Sequence, residues 1–265
     1  GRCSLSVILP TLSAMKVQVC PVVTAVFSTH TGGLGEVVFR DLTDYLTPTL
    51  EHYKRLKLEF ECVYSGFLGS LEQIDHCLEY YAAYPDALAV VDPVMGDHGR
   101  PYRTYTPEMC RRMKELAAVA DLITPNLTEA ALLLGQPYET LPAGEAGLRE
   151  ITERLSLGGR RSVVLTGASL APGRTGAVCF DARTGKTEAV QTAYVAHEFH
   201  GTGDVFSSVL TGALVRGESL SSAAGEAAAF VRACAERTAA EDLPMREGVD
   251  FEPLLGLLIP GKETV

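Results

Sequence analysis

Two kinds of hydrophobic pattern alternate along this chain: helical spacing of about 3.6 residues and short unbroken apolar runs. Leu5, Val7, Ile8, Leu9, Leu12 and Met15 follow the helical spacing and predict a helix over about 2–15, with Pro10 placed to kink it. An α/β chain usually feeds its first helix from a buried strand, so a β-strand and a glycine-containing loop are expected ahead of residue 1. Val17–Val23 (VQVCPVV) reads as a buried strand. From Thr24 to Gly33, β-branched and polar residues precede a glycine pair, the mark of an extended flap beside a ligand or of a plain edge hairpin. Leu42, Tyr45, Leu46, Leu50, Tyr53 and Leu56 predict an amphipathic helix over 41–58. A short strand over 60–64 and a helix over 70–84, capped by Ser70, follow.

Leu88–Val91 (LAVV) is apolar throughout, as in a strand covered on both faces of a parallel sheet. Next come a polar loop over 98–106, a helix over 107–120, a strand at Leu122–Thr124, and a helix ending at Gly135 that Asn126 or Thr128 can cap. A helix over 143–157 and a strand at Ser162–Thr166 (SVVLT) precede a hairpin of 177–181 with 187–193, turned at Arg183-Thr184-Gly185. Ser207, Ser208, Leu210, Ala213 and Leu214 extend a helix from a Gly-Thr-Gly turn. A helix over 222–239 carries Ala223, Ala224, Gly225, Ala227, Ala228 and Ala229, small enough for close packing, and 251–258 predicts a last short helix. With no repeat, low-complexity tract or linker, the expectation is one α/β domain over 1–265 with a mostly parallel sheet.

Composition removes whole classes of function. The 265 residues carry 23 Lys+Arg against 33 Asp+Glu, a formal charge of −10, with no basic cluster. That argues against a nucleic-acid surface. The seven cysteines form no CxxC pair, so neither a zinc site nor a disulfide framework is signalled, and a reducing cytosol suits them. No run approaches the ~20 apolar residues of a membrane span, and no secretory signal opens the chain, so a cytoplasmic protein is expected.

Four strand ends carry the candidate chemistry: DPVMGD (92–97), TPNLTE (124–129), LTG (165–167) and GTGD (201–204). Ligands of open α/β sheets collect beyond such ends. Asp92 and Asp97 are placed to hold a cation, although Asp97 also suits a turn cap, and Glu129 faces the same crevice from the first turn of its helix. Gly201 and Gly203 let backbone N–H groups approach an oxyanion at a helix N-terminus, where open donors and the dipole favour negative charge. Asp204 is either an ordinary first-turn acid or a base for an attacking hydroxyl. Acidic groups for Mg²⁺, an amide cradle and a candidate base together suit phosphoryl transfer. The chain has no GxxxxGK[ST], no GxGxxG at a first βα turn and no GxSxG elbow, and its six histidines lack metal spacing.

Over nearly its whole length the chain resembles the pyridoxal (vitamin B6) kinases of the ribokinase-like superfamily. The likeness is densest in Ser28-Thr29-His30-Thr31-Gly32, Ser65-Gly66-Phe67, DPVMGD, TPNLTE and GTGDVFSSVL. GTGD and the Asn-x-x-Glu of 126–129 mark the superfamily; DPVMGD with THTG is narrower and is similar to kinases of vitamin B6 and of hydroxymethylpyrimidine. The resemblance implies a three-layer α/β/α sandwich with a small β flap, a homodimer, and the use of ATP, Mg²⁺ and K⁺ or Na⁺. It implies that Asp204 deprotonates the 5′-hydroxymethyl group of pyridoxal, pyridoxine or pyridoxamine, with Gly201, Thr202 and Gly203 as anion hole. It assigns Asp97 and Glu129 to Mg²⁺, and Asp92, Thr124 and Thr166 to a monovalent cation beside the ATP phosphates. Asn126 would contact a phosphate, while Thr166, Gly167 and the segment from Val195 to His197 would line the nucleotide. Thr31 and His30 would meet the pyridine's polar edge, Phe67 its face, and Tyr102 or Tyr105 would lie near the phosphates.

Three departures qualify the resemblance. The family's serine-bearing N-terminal strand and loop are absent from this numbering. Phe67 stands where tyrosine is frequent, which alters the preferred ring. Asp204 stands where some bifunctional kinases carry Cys, which favours a pyridoxal-kinase-type site. The alternatives are a hydroxymethylpyrimidine kinase of thiamine synthesis and a non-catalytic binding protein on the same fold.

Overall fold

The computed structural model describes residues 1–30, 34–196, 199–241 and 243–261. In chain order its elements are α1 (Leu5–Ala14), β1 (Ala25–Phe27), β2 (Phe39–Asp41), α2 (Thr43–Leu56), β3 (Cys62–Ser65), α3 (Leu71–Ala83), β4 (Leu88–Val91), β5 (Gly96–Asp97) and β6 (Arg100–Pro101). There follow α4 (Pro107–Ala118), β7 (Leu122–Ile123), α5 (Leu127–Leu134), α6 (Gly144–Leu155), β8 (Ser162–Thr166), β9 (Arg174–Asp181), β10 (Lys186–Ala193), α7 (Thr202–Val215), α8 (Leu220–Ala240) and a 3₁₀ segment at Glu252–Leu258.

The main sheet has the order β10-β9-β8-β7-β4-β3. β3, β4, β7 and β8 run parallel, while β9 and β10 add an antiparallel edge. Side chains alternate between faces along a strand, and here both faces are buried. Val90, Leu122, Val164 and Cys179 pack with Val7, Met15, Val209, Ala224 and Ala227 of α1, α7 and α8. Val91, Ile123, Val163, Leu165 and Val178 pack on the other side with Ile74, Met113, Leu116, Ile151 and Leu155 of α3, α4 and α6. The result is the expected three-layer α/β/α sandwich. Small residues set the helix spacing: a Cβ at Gly212 of α7 would lie 2.6 Å from Met15 Sδ.

Two expectations fail. Val17–Val23 forms no strand; Gln18, Cys20 and Pro21 are exposed, and β3 ends the sheet among the described residues. Pro21 offers no N–H, and β-branched residues form a strand only where a neighbour supplies the ladder. On α2, Leu46 and Leu50 are buried as predicted, but Tyr45 and Leu56 are 47% and 56% exposed, because only a narrow face of this helix is covered.

The predicted flap exists as an antiparallel ribbon, β1 with β2, separate from the main sheet. Gln73, fully buried on α3, fastens its base. The Gln73 amide donates to Thr24 O at 3.1 Å, Asp41 Oδ2 at 3.2 Å and Thr43 Oγ1 at 3.0 Å, and its carbonyl accepts from Gly69 N–H at 2.7 Å. Among the described residues, no helix is long and apolar enough to cross a membrane.

Candidate active site

The carboxyl ends of β3, β4, β7 and β8 share one edge of the sheet, and the segments leaving β4 and β7 carry Asp92, Asp97 and Glu129. Asp92 follows β4 and is 7% exposed. Ser207 Oγ of α7 donates to Asp92 Oδ2 at 2.9 Å and lies 3.2 Å from Thr124 Oγ1, so one hydroxyl ties α7 to the ends of β4 and β7. Burial, and then the charge of Asp204, push Asp92 up to about 7 against the hydrogen bonds from Ser207, Thr124 and Val94 N–H.

The loop then turns sharply. Val94 has φ 40° and His98 φ 50°, a region that a β-branched residue enters only under strain. A Cβ at Gly96 would sit 2.3 Å from Arg100 O, so β5 and β6 can pair only with glycine there. The start of α5 holds this loop. Glu129 Oε1 accepts from Met95 N–H at 3.0 Å, and Oε2 accepts from Asn126 N–H at 2.9 Å. Asn126 Oδ1 accepts from Glu129 N–H at 2.9 Å, closing a capping box, while Asn126 Nδ2 donates to Gly96 O at 2.9 Å. Thr128, the other predicted cap, instead accepts from Gly99 N–H at 2.8 Å. Glu129 is 3% exposed; burial and then the Asp92 charge hold its carboxyl well above the usual range.

Asp97 keeps an exposed carboxylate that accepts from His98 N–H at 2.8 Å and lies 3.5 Å from His98 Nε2. Among the described residues, no three His, Cys, Asp or Glu side chains assemble as a metal-ligand set. Burial first, and then the charges of Glu129, Asp97, Asp92 and Asp204, push the Tyr102 phenol upward, so each of the four carboxylates acts electrostatically at this tyrosine. Tyr105 is buried against Phe67, ring centroids 6.0 Å apart, and so is the less suited of the two tyrosines to meet phosphates. It also lines a groove of about 320 Å³ with Pro107, Cys110 and Lys114 that contains none of the four carboxylates.

α7 enters at Gly201, φ 84°, with no side-chain cap, leaving its first-turn N–H groups open. Gly203 is exposed, and Thr202 Oγ1 donates to Phe199 O at 3.3 Å. Asp204 Oδ2 accepts from Ser4 N–H at 2.9 Å; burial raises the Asp204 pKa and this bond lowers it. Ser207 and Ser4 were not marked as site groups by the sequence. Ser207 falls three residues after Asp204, on the same helix face, which is a usable signal; nothing local marks Ser4.

Phe67 meets the flap through Phe27 at 6.1 Å, and Phe27 stacks on Phe39 at 4.8 Å. His30 Nε2 lies 2.7 Å from Arg246 O, and its ring is 5.0 Å from that of His200. Thr166 Oγ1 donates to Pro125 O at 3.4 Å, Gly167 follows exposed at φ 67°, and Val195 packs on the α7–α8 core. Thr31 and His197 lie outside the described residues.

Known proteins are similar to this chain in sequence and fold. A family profile described as phosphomethylpyrimidine kinase matches residues 9–248. A Bacteroides thetaiotaomicron protein assigned to the phosphomethylpyrimidine kinases, solved with pyridoxal, is 37% identical and covers 97% of this chain and 91% of its own, with a TM-score of 0.91. The pyridoxal kinase of Lactobacillus plantarum is 32% identical, covering 98% and 92%, with a TM-score of 0.88. The chloroplastic thiamine biosynthetic bifunctional enzyme of Arabidopsis thaliana is 30% identical over 231 residues, 84% of this chain. The chain spans 42% of the length of that enzyme, and 61% and 62% of two other curated relatives.

Proposed function

The chain belongs to the phosphomethylpyrimidine kinase family, on the ribokinase-like fold of the pyridoxal kinases, and from this premise we propose that it transfers the γ-phosphoryl group of ATP to the 5′-hydroxymethyl group of pyridoxal, pyridoxine or pyridoxamine. The observation that carries the reading is the tie of α7 to the ends of β4 and β7, with Ser207 Oγ on Asp92 and Thr124, which sets Asp204 on the first turn of an uncapped 14-residue helix at that edge.

A primary alcohol is too weak an acid for a carboxylate to ionise in advance. Asp204 therefore accepts the proton as the O–P bond forms, and its raised pKa suits that task. The amides of Gly201, Thr202 and Gly203 receive the transferred group, where a helix N-terminus favours the growing negative charge. Asn126, with one amide hydrogen spent on Gly96 O, offers the other to a phosphate. Gly167 and Val195 line the nucleotide.

The residues present fit Mg²⁺, which takes one or two carboxylates and completes its shell with water and phosphate oxygens. Asp97, whose exposed carboxylate meets only His98 among the described residues, holds it directly, while Glu129, with both oxygens on backbone amides, acts through water. Bound Mg²⁺ neutralises phosphate charge. Asp92, with the oxygens of Thr124 and Thr166, suits K⁺ or Na⁺. Phe67, backed by Phe27, faces the pyridine ring, with His30 at its polar edge. A homodimer is part of the same reading, supported by the exposed flap residues Val26, Val38 and Phe39.

Hydroxymethylpyrimidine is the second candidate acceptor, favoured by the family profile and the Arabidopsis relative. Initial rates with ATP, Mg²⁺ and each alcohol separate the two through kcat/KM. Asp204→Asn is expected to lose roughly 10²–10⁴-fold in kcat while retaining ATP binding. Undiminished turnover in that variant defeats the assignment, and binding of ATP without turnover of any alcohol by the unaltered protein replaces it with a binding function.

A further inference from the structure

The residues Gly1–Ser4 cross the start of α7, and three observations show that the crossing is built. Arg2 is clamped: its Nη2 lies 2.6 Å from Asp250 Oδ1 and its Nε 2.9 Å from Glu252 Oε2. Asp250 is itself 6% exposed, accepts from Arg237 Nε at 2.8 Å through Oδ2, and donates its N–H to Thr238 Oγ1 at 2.8 Å. Two glycines make room for Arg2. A Cβ at Gly201 would lie 2.1 Å from Arg2 O, and one at Gly248 would lie 2.9 Å from Arg2 Cβ, both at positive φ. Finally, Ser4 sits at φ 48°, ψ −133°, a conformation an L-residue adopts only when its surroundings impose it.

That strained conformation presents Ser4 N–H to Asp204 Oδ2 at 2.9 Å. We propose that Arg2, through its clamp on Asp250 and Glu252, is a positioning residue that holds the Ser4 amide on Asp204. One carboxylate oxygen is thereby fixed, and the other is aimed to accept the substrate proton. This rests on the kinase reading given above. Gly201 then has two duties: its missing Cβ admits Arg2 O as well as a phosphoryl oxygen.

The test is made on the full chain, comparing Arg2→Met with the unaltered protein. The other titratable groups in this carboxylate's neighbourhood are Cys3, which directly follows Arg2 in the chain, and Tyr64, Asp92 and Tyr102. Loss of the clamp is expected to lower kcat roughly 10- to 100-fold. Both KM values should stay within about twofold, and the acidic limb of the kcat–pH profile should move to higher pH as the amide bond is lost. An independent readout is ¹³C-carboxyl NMR titration of Asp204 without substrates, assigned with Asp204→Asn; Arg2→Met should raise its pKa. Should the unaltered protein phosphorylate nothing, the functional reading fails while the NMR titration still decides the clamp. If Arg2→Met does not fold, Glu252→Gln removes one partner of Arg2 and should move both readouts the same way by less. An Asp204 titration and a pH profile unchanged in the folded variant overturn the proposal, whatever happens to its Tm.

Discussion

Replacing Asp92 by Asn should make the protein more stable at alkaline pH while changing little in acid. Asp92 is buried at the end of β4 and pushed up to about 7, whereas in the unfolded chain it titrates near 3.9, roughly three units lower. A carboxyl whose pKa is raised on folding is bound more tightly by its proton in the native state. Its stabilising effect is therefore complete below the unfolded pKa and is lost as pH rises through the folded one. At about 1.4 kcal/mol per unit the full loss is on the order of 4 kcal/mol, and about 2.5 kcal/mol of it falls between pH 5 and pH 8. Asn keeps an acceptor for Ser207 Oγ and carries no charge, so this slope disappears. Glu129 and Asp204 are also raised and contribute slopes of the same sign; because the Asp92 charge is one cause of the Glu129 shift, the difference between the two proteins reports Asp92 together with its coupling to these carboxyls. Urea unfolding at half-unit pH steps measures it. K⁺ should recover part of the alkaline loss in the unaltered protein and none in Asp92→Asn. A stability difference that stays flat from pH 5 to pH 8 would refute the reasoning.

Two further substitutions test how the site is held. Glu129→Ala removes the acceptor of Met95 N–H and of Asn126 N–H; with each buried unpaired amide costing about 1–3 kcal/mol, a loss of about 2–6 kcal/mol is expected in urea unfolding. Arg161 is 5% exposed and, among the described residues, pairs with no carboxylate; its guanidinium donates to Leu155 O at 2.7 Å and to Ala117 O, closing the last turns of α6 and α4. Burial lowers its pKa to about 10, so it stays charged at neutral pH, and Arg161→Met should cost about 2–4 kcal/mol by orphaning both carbonyls, with kcat unchanged.

Features fixed by a few neighbouring residues were legible in the sequence. Leu88–Val91 and Ser162–Thr166 appear as strands at their predicted bounds, because an unbroken apolar run of that length fits only a position covered on both faces. Ser70 and Asn126 cap α3 and α5 as their chemistry requires, and the alanine-rich α8 packs closely. The order of the four strand-end motifs was enough to place the acidic groups on one edge. The resemblance to pyridoxal kinases reached the right fold and family.

What the linear pattern could not contain is which distant groups meet. Val17–Val23 has the composition of a strand and no ladder beside it, since strand formation depends on a neighbour's hydrogen bonds. Ser4 and Asp204 are 200 positions apart, and Arg2 and Asp250 are 248 apart; only the folded chain brings them within hydrogen-bond distance. The electrostatics of the site are likewise tertiary. Asp92 reads as an ordinary acid until the sandwich removes its water and sets Asp204 nearby, and desolvation acts on the assembled volume, not on the residues adjacent in sequence. Periodicity and caps determined the layers of this protein, and close packing across those layers decided its chemistry.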